Sequence, residues 1–231
     1  MEISVFLSRL DECVGRHDLL CHPFYQAWSA GKLTREDLRE YGASYYPHVE
    51  AFPSHLAQLG IRLQDGELRR AVLANMSDEK GMEDAFGKLE RSHAELWLDF
   101  VEGMGGSRTS RRHDVREISD LIGYFRALAS EGTPEEALAA FYAYESQVPR
   151  IAGEKNRGLR ELYGADEKTR AYFVLHTTAD VYHSQVWRKQ LEKRVAANPE
   201  TAEKALAAAE GAARKLWEAL DGIDARRMAA A

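Results

Sequence analysis

The chain has 231 residues, 45% of them hydrophobic and 29% charged, which is the balance of a soluble globular protein with enough residues for one domain and a sizeable core. A formal net charge of −6, with no basic arm or stripe, argues against nucleic acid as a partner. Only two cysteines occur, Cys13 and Cys21, without a CxxC pair, which excludes a disulfide scaffold and argues against a zinc knuckle.

The first segment, MEISVFLSRLDECVGRHDLL, carries acidic residues early and has no basic flank followed by an apolar run. We therefore expect no signal peptide. No stretch of the chain approaches the roughly 20 apolar residues that cross a bilayer. The sequence thus predicts a cytoplasmic protein with no membrane partner.

Helical periodicity dominates the first half of the chain, where strand-like alternation is hard to find. Helices are predicted over about 2–18, 22–30, 34–59, 66–80 and 87–104. The third of these begins at a capping box, Thr34 with Asp37 three residues later. Pro47 and Pro53 should bend that helix, because each proline removes a backbone donor and clashes with the preceding turn.

Four more helices are predicted in the second half, over about 113–130, from Thr133 onward, over about 167–194 and over about 200–222. Pro134 suits the first position of a helix, and Pro149 should interrupt the helix that begins there. The Ala-rich last helix has a modest apolar face and should pack on the body of the protein. No repeat or linker marks a boundary, so we predict a single all-α domain over 1–231, with a frayed tail at about 224–231.

Three potential metal ligands stand close together in the segment AYFVLHTTADVYHSQVW, namely His176, Asp180 and His183. On one α-helix, spacings of four and three place all three side chains on one face, within reach of a single point. Two imidazoles and a carboxylate suit divalent metals such as iron and manganese. The alternative is a solvated helix face, on which histidine and aspartate are common.

A mononuclear site would be complete with those three ligands, whereas a dinuclear site needs about six from separate helices. Glu145 is the strongest further candidate, because a carboxylate in the apolar segment AFYAYESQVPRI is costly unless it is paired or metal-bound. A buried salt bridge with Arg150 or Arg157 is the alternative. Glu79 and His93 are also candidates, with a solvated face and a core histidine as their alternatives.

Several motifs in combination resemble the TenA- and PqqC-like superfamily, which has the haem-oxygenase-like fold. They are Phe24-Tyr25 with Trp28, Tyr45-Tyr46 through Phe52-Pro53, Asn75 through Glu79, His93 with Leu96-Trp97, YESQVPRIAGEK at 144–155, and His176 with Asp180 and His183. The likeness is closer to the CADD family (Chlamydia protein associating with death domains), whose members are non-haem dimetal oxygenases that make para-aminobenzoate for folate biosynthesis. This resemblance covers nearly the whole chain and implies a bundle of about seven to nine helices.

The resemblance implies six metal ligands. Matched residue by residue, they are Glu79, His93, Glu145, His176, Asp180 and His183. Such a set implies two non-haem metal ions, iron with iron or iron with manganese, with dioxygen as co-substrate and an external electron donor. The segment between Glu79 and His93 is longer than the family's short link, so Asp78 and Glu83 compete with Glu79 as the ligand.

The resemblance also implies that the protein supplies its own substrate. In CADD-like proteins the ring of the product looks to come from a tyrosine of the chain and its amino group from a lysine, and the matching positions are Tyr25 and Lys155. Proximity would then replace substrate binding. Lys155 lies about three helical turns beyond Glu145, so it reaches the site only if a break near Pro149 folds the chain back.

Tyr41 and Tyr144 also match the family and are expected to act as radical relays or as a second target. Without the resemblance, Tyr25 would be interpreted as a core tyrosine and Lys155 as a solvent-facing lysine. Three other functions remain open: a dimetal oxygenase on a small external substrate, a PqqC-like cofactor-free oxidase or TenA-like hydrolase, and a module that binds helical partners. A homodimer is expected, because that is the commonest assembly.

Overall fold

The computed structural model describes residues 1–81, 90–109 and 114–230, and every regular element in those ranges is helical, with no β-strand. The α-helices are α1 (Ile3–Gly15), α2 (Pro23–Ser29), α3 (Arg35–Arg62), α4 (Glu67–Lys80), α5 (His93–Gly103), α6 (Arg116–Ser130), α7 (Pro134–Glu145), α8 (Val148–Glu161), α9 (Glu167–His176), α10 (Ala179–Ala197) and α11 (Ala202–Ala230). The predicted all-α class is confirmed.

The nine predicted helical segments all correspond to helices, but two of them are divided. The first division, at Ser146–Gln147, separates α7 from α8 just ahead of Pro149. The second, at Thr177–Thr178, separates α9 from α10. Both divisions lie beside residues of the candidate site, so they decide which way its side chains face.

The long helix α3 begins where the local sequence predicts. The backbone N–H of Asp37 donates to Thr34 Oγ1 at 3.0 Å, and the Asp37 carboxylate accepts from the backbone N–H of Thr34 at 2.7 Å. A cap of this kind stabilises a helix by about 1 kcal/mol. Pro47 and Pro53 do not end the helix, which continues through both of them to Arg62.

The C-terminal helix α11 packs against α1, α6 and α7. Its buried face is rich in alanine and meets an alanine-rich part of α7, and such small side chains let two helices approach closely. The expectation that this helix packs on the body is confirmed. It continues to Ala230, through the tail expected to be frayed, and Arg226 in that tail pairs with Asp114 at 2.7 Å. No helix in the described part of the chain is long and apolar enough to cross a bilayer.

The core next to the candidate site is aromatic. Large rings from α2, α3, α5 and α9 meet there, and each is at most 1% exposed: Trp28, Tyr41, Trp97, Phe100 and Phe173. Phe100 and Phe173, for example, pack edge to face with ring centroids 5.1 Å apart. This arrangement holds Tyr41 among rings from two other helices, α2 and α5.

Candidate metal centre

Three helix ends bring together a first group of buried metal-ligand side chains, which we call the first triad: Glu79, His93 and His176. Glu79 lies in the last turn of α4, His93 begins α5, and His176 ends α9. One potential ligand atom from each residue lies within 4.8 Å of the others. That spacing is compatible with a single metal ion bound by all three.

A second triad consists of Glu145, Asp180 and His183, whose potential ligand atoms also lie within 4.8 Å of one another. Glu145 ends α7, and the other two residues lie in the first turns of α10. All three side chains are buried. The six residues predicted as ligands therefore come together in the structure, three in each triad.

The histidine and aspartate residues of the segment 176–183 do not lie on one helix, which corrects the sequence prediction. Because α9 ends at His176, that residue joins the first triad, whereas Asp180 and His183 join the second. The break occurs at Thr177 and Thr178, whose hydroxyls donate to backbone carbonyls three residues earlier, at 2.7 and 3.2 Å. Such local bonds compete with continuation of the helix.

Glu145 is 1% exposed and is held by neutral donors. Asn75 Nδ2 donates to Glu145 Oε1 at 2.9 Å, and the indole N–H of Trp187 donates to Glu145 Oε2. Burial, and then the neighbouring carboxylate of Asp180, raise the pKa of Glu145 to about 8. Carboxylate oxygens of Glu145 and Asp180 lie within 4.8 Å of each other, so each group opposes ionisation of the other. A bound cation would relieve that repulsion.

The salt-bridge alternative for Glu145 is wrong. Arg150 pairs with Asp18 at 2.9 Å, and Arg157 pairs with Glu154 at 2.9 Å. Within residues 1–81, 90–109 and 114–230, no lysine or arginine forms an ion pair with any carboxylate of the two triads. Buried carboxylates of this kind are costly unless a cation is bound, so the triads fit a metal site.

The first triad is held by one close contact between its own members. His93 Nδ1 lies 2.9 Å from Glu79 Oε2. Burial alone would raise the pKa of Glu79, but His93, together with His176 and His183, lowers it overall. Burial alone would lower the pKa of His93, but Glu79, together with Asp180, raises it overall. His176 Nδ1 donates to the backbone carbonyl of Tyr172 at 2.7 Å, which leaves Nε2 available to a metal.

The combined donor set fits two redox metal ions. Three carboxylates and three imidazoles from helices of one bundle are the ligand types of dimetal iron and manganese sites. Of the competing acids, Glu79 lies in the first triad, whereas Asp78 lies on the outer side of His183, 3.1 Å from its Nε2. Glu83 lies outside the described residues.

A buried amine lies near the triads, among aromatic rings. Lys155 Nζ donates to Tyr25 Oη at 2.7 Å and to Tyr41 Oη at 2.5 Å, and the two phenol oxygens are 3.0 Å apart. No described acidic residue forms an ion pair with Lys155. Burial lowers the pKa of Lys155 well below its usual value and raises the pKa of Tyr25. The site therefore favours an uncharged amine between two protonated phenols.

The fold-back that Lys155 requires is present. After the break at Ser146–Gln147, α8 packs on α2, the helix that carries Tyr25. Gly158 of α8 lies against Trp28 of α2, and a Cβ at that position would be 2.9 Å from Trp28 Cδ1. The glycine thus allows the close approach that brings Lys155 to Tyr25.

Aromatic rings connect the first triad to the buried amine. Tyr172 stacks on His176 with ring centroids 3.9 Å apart, and meets Trp97 edge to face at 4.8 Å. Trp97 lies 5.7 Å from Tyr41, whose phenol accepts from Lys155. The rings are therefore in contact all the way from the ligand His176 to the amine.

Tyr144 lies beside this path. With Tyr45 and Tyr172 it lines a cavity of about 30 Å³, which Tyr25 and Lys155 also line. That volume holds no more than a few water molecules.

Three residues that the sequence analysis did not assign to the site take part in it: Asn75, Trp187 and Tyr172. Tyr172 precedes His176 by four residues, and this helical spacing was an available signal. Asn75 and Trp187 meet Glu145 only through contacts between distant parts of the chain, for which the sequence holds no local pattern.

The chain is similar to known proteins over most of its length. The profile of a family described as iron-containing redox enzymes matches residues 39–217. The chain is 35% identical to the 4-aminobenzoate synthase of Nitrosomonas europaea, over 96% of this chain and 92% of that protein. It is 34% identical to the 4-aminobenzoate synthase of Chlamydia trachomatis, over 96% of this chain and 94% of that protein.

The fold also matches a solved structure. A protein of Shewanella denitrificans with a haem-oxygenase-like fold superposes with a TM-score of 0.78 at 17% identity, over 99% of this chain and 94% of that chain. This match confirms the predicted haem-oxygenase-like fold. Because the profile matches most of the chain, and because two relatives are 34% and 35% identical to it over nearly its whole length, the chain belongs to the family of iron-containing redox enzymes.

Proposed function

We propose that this protein is a 4-aminobenzoate synthase, an oxidoreductase that forms para-aminobenzoate at a non-haem dimetal centre from its own Tyr25, with Lys155 as the amino donor. Membership in an iron-containing redox enzyme family and the likeness to two 4-aminobenzoate synthases over nearly the whole chain support the reaction. The position of Lys155 beside Tyr25 supports these two side chains as the source of the product's ring and amino group. It is the observation that carries the proposal.

The amine lies at the end of the Tyr25 ring where the product needs its nitrogen. Para-aminobenzoate carries its amino group opposite the carboxylate, at the ring carbon that bears the hydroxyl in tyrosine. Lys155 Nζ lies 2.7 Å from Tyr25 Oη and 4.2 Å from the centroid of the Tyr25 ring. A reactant held at this point needs no separate binding step, because its effective concentration is already high.

The protonation state of Lys155 suits an amino donor. An ammonium group has no lone pair with which to form a carbon–nitrogen bond, whereas a neutral amine has one. Burial among the rings of Tyr25, Tyr41 and Trp28, without a carboxylate partner, lowers the pKa of Lys155 and favours the neutral form.

The proposed reaction changes bonds in two side chains. The Cα–Cβ bond of Tyr25 breaks and leaves a glycine residue at position 25, while dioxygen oxidises Cβ to the carboxylate. Lys155 Nζ bonds to the ring carbon that carried the phenol oxygen, which leaves as water. The bond from Nζ to Cε breaks as Cε is oxidised to an aldehyde. Bound in the two triads, iron with iron or iron with manganese would supply the redox chemistry that activates dioxygen, with electrons from an external donor. Because both side chains are consumed, we expect at most one product molecule per chain.

The intervening tyrosines are proposed as electron relays. Tyr41 contacts both Tyr25 and Trp97, with ring centroids 6.2 and 5.7 Å apart, and so lies on the path from Tyr25 to the first triad. Tyr144 lines the same cavity as Tyr25 and Tyr172 and offers a second route to the same triad. Burial raises the pKa of both relay phenols, which therefore keep their protons until an electron is removed.

The two triads differ in donor type, which bears on the metals. The first offers one carboxylate and two imidazoles, and the second offers two carboxylates and one imidazole. Imidazole suits iron, whereas carboxylate suits manganese. A mixed centre would therefore hold iron in the first triad and manganese in the second.

The small cavity beside Tyr25 counts against an external substrate, and the buried carboxylates count against a cofactor-free oxidase. The cavity among the rings is about 30 Å³, whereas small-molecule sites typically offer about 300–1,000 Å³, so an external substrate has little room beside Tyr25. A cofactor-free oxidase would leave three buried carboxylates with no lysine or arginine partner among the described residues. The first observation favours Tyr25 over an external substrate at that position, and the second favours a bound metal.

Metal analysis and product counting test the proposal together. Anaerobically purified protein should contain two metal ions per chain, one for each triad, and should release para-aminobenzoate when dioxygen and a reductant are added. Tyr25→Phe should bind the same metals and release no product. The control Tyr124→Phe, which removes a phenol that bonds the Ala208 carbonyl, should yield as much as wild type. A yield above one per chain that depends on an added compound would instead favour an external substrate.

A further inference from the structure

We propose that Asp78 is a positioning residue of the metal centre: it holds the His183 ring so that Nδ1 faces the second triad. The inference rests on the proposed dimetal centre and adds a residue that is not one of its six ligands. Three observations carry it, namely the two faces of the His183 ring, the parallel arrangement at His176, and the place of Asp78 on α4.

The two nitrogens of His183 face different partners. Nδ1 lies 3.4 Å from Asp180 Oδ1 and 3.8 Å from Glu145 Oε1, on the side where a metal ion would bind. Nε2 lies 3.1 Å from Asp78 Oδ2 on the opposite side. A neutral imidazole carries one N–H, and the Asp78 carboxylate can only accept it. With a metal ion in the second triad, Nδ1 would be its ligand, and the one N–H of the ring would lie at Nε2, where Asp78 accepts it.

His176 shows the same arrangement with a different acceptor. Its Nδ1 donates to the backbone carbonyl of Tyr172 at 2.7 Å, which directs Nε2 to the first triad. Each triad thus contains a histidine whose far nitrogen is held by an oxygen acceptor, as is usual for metal-binding histidines. The acceptor for His183 is a side chain, so it can be changed by substitution without altering any ligand.

The position of Asp78 on α4 explains why two acids stand side by side in the sequence. Consecutive residues of an α-helix point about 100° apart, so Glu79 faces the first triad while Asp78 faces α10. Asn75, one turn earlier, donates to Glu145 of the second triad. This short stretch of α4 therefore contacts both triads: Asn75 and Asp78 each contact a ligand, and Glu79 serves as one.

Asp78 is placed to orient the ring and not to bind the metal itself. Its side chain is 60% exposed, whereas all six triad residues are buried. It lines a groove of about 380 Å³ between α4 and α10, which is also lined by Tyr182, His183 and Gln190. The imidazole ring of His183 thus stands between Asp78 and the other two ligands of the second triad.

Loss of an outer acceptor of this kind typically weakens metal binding by about 10- to 100-fold. We expect that loss in Asp78→Ala, which leaves His183 free to adopt the other tautomer or rotate. Asp78→Asn should lose less than about 10-fold, because the amide oxygen still accepts from Nε2–H. Both variants lose the negative charge, but only Asp78→Ala loses the acceptor. Recovery in Asp78→Asn would therefore show that the acceptor matters and not the charge.

The experiment is a titration of metal-free protein with Mn²⁺ under argon, in which electron paramagnetic resonance measures the unbound ion. Manganese is the probe because it binds nitrogen and oxygen sites least tightly among the first-row divalent ions, so a change in affinity is readily measured. Wild type, Asp78→Ala and Asp78→Asn are compared with Glu145→Gln, which removes a second-triad ligand. Asp120→Ala is the matched control, since it removes an exposed acid that pairs with Arg116 on α6, away from the triads.

The expected result is two bound ions in wild type, one of them bound 10- to 100-fold more weakly in Asp78→Ala, with recovery in Asp78→Asn. Wild-type affinity in Asp78→Ala would overturn the inference while leaving the metal centre intact. If both Asp78 variants bind one ion even at saturation, as Glu145→Gln should, Asp78 is a direct ligand and the orienting role is wrong. If wild type binds no Mn²⁺ at all, the proposed metal centre fails, and this inference fails with it.

Discussion

Replacing Lys155 with methionine tests the uncharged amine directly, because methionine keeps a flexible, unbranched side chain and removes the nitrogen. Lys155 is 6% exposed and has no described acidic partner in an ion pair. On unfolding, its amine enters water and takes up a proton at any pH below about 10.4. Unfolding of wild type should therefore bind one more proton than unfolding of Lys155→Met.

One extra proton changes the free energy of unfolding by about 1.36 kcal/mol per pH unit. Because burial lowers the folded-state pKa of Lys155, wild type gains stability as the pH rises from that lowered pKa to about 10.4. Below the lowered pKa both states are protonated, and the difference in slope disappears. Over 1.5 pH units within this window, wild type should gain about 2 kcal/mol relative to Lys155→Met.

Urea unfolding of metal-free protein, followed by circular dichroism at intervals from pH 7 to 9.5, measures this difference. Other titrating groups are present in both proteins and cancel when the two curves are subtracted. Lys204→Met, at an exposed position of α11, should run parallel to wild type. Parallel curves for wild type and Lys155→Met would refute the uncharged amine.

Two further predictions concern the metals and the approach of α8 to α2. Chelation by EDTA should lower Tm in calorimetry, since a ligand at 100 times its Kd stabilises the folded state by about 2.7 kcal/mol, and an unchanged Tm would argue against bound metals. Gly158→Ala should destabilise the fold by about 1–3 kcal/mol and reduce the product yield, because its Cβ would lie 2.9 Å from Trp28 Cδ1. Gly153→Ala is the control on the same helix, because a Cβ there meets nothing within 4 Å. It should stabilise the fold by about 0.5–1 kcal/mol. Equal effects at the two positions would contradict this packing argument.

Most helices could be predicted from the sequence because their signals are local. The capping box of Thr34 with Asp37, for example, lies within four residues and fixes the start of α3 by itself. The division at Thr177–Thr178 could not be predicted, since threonine is tolerated inside helices and also favours local bonds to the backbone. The choice depends on where His176 and Asp180 are buried, which only the assembled bundle decides.

The candidate ligands could be predicted as a set, but their partition into two triads could not. Glu145 stood out because an acid in an apolar segment needs a partner. Its actual partners, Asn75 and Trp187, lie 70 and 42 residues away along the chain, so no local pattern links them. The contact of Lys155 with Tyr25 spans 130 residues and was expected only from the family resemblance.

The mass of the product from isotopically labelled protein tests the central claim most directly. The chain is produced with ¹³C in the rings of its tyrosines, loaded with iron and manganese, and given dioxygen and a reductant without any added aromatic compound. The account predicts that the released para-aminobenzoate carries the labelled ring, and that Tyr25→Phe labelled in the same way releases none. Unlabelled product, or labelled product from Tyr25→Phe at the wild-type yield, would contradict the claim that Tyr25 is the substrate.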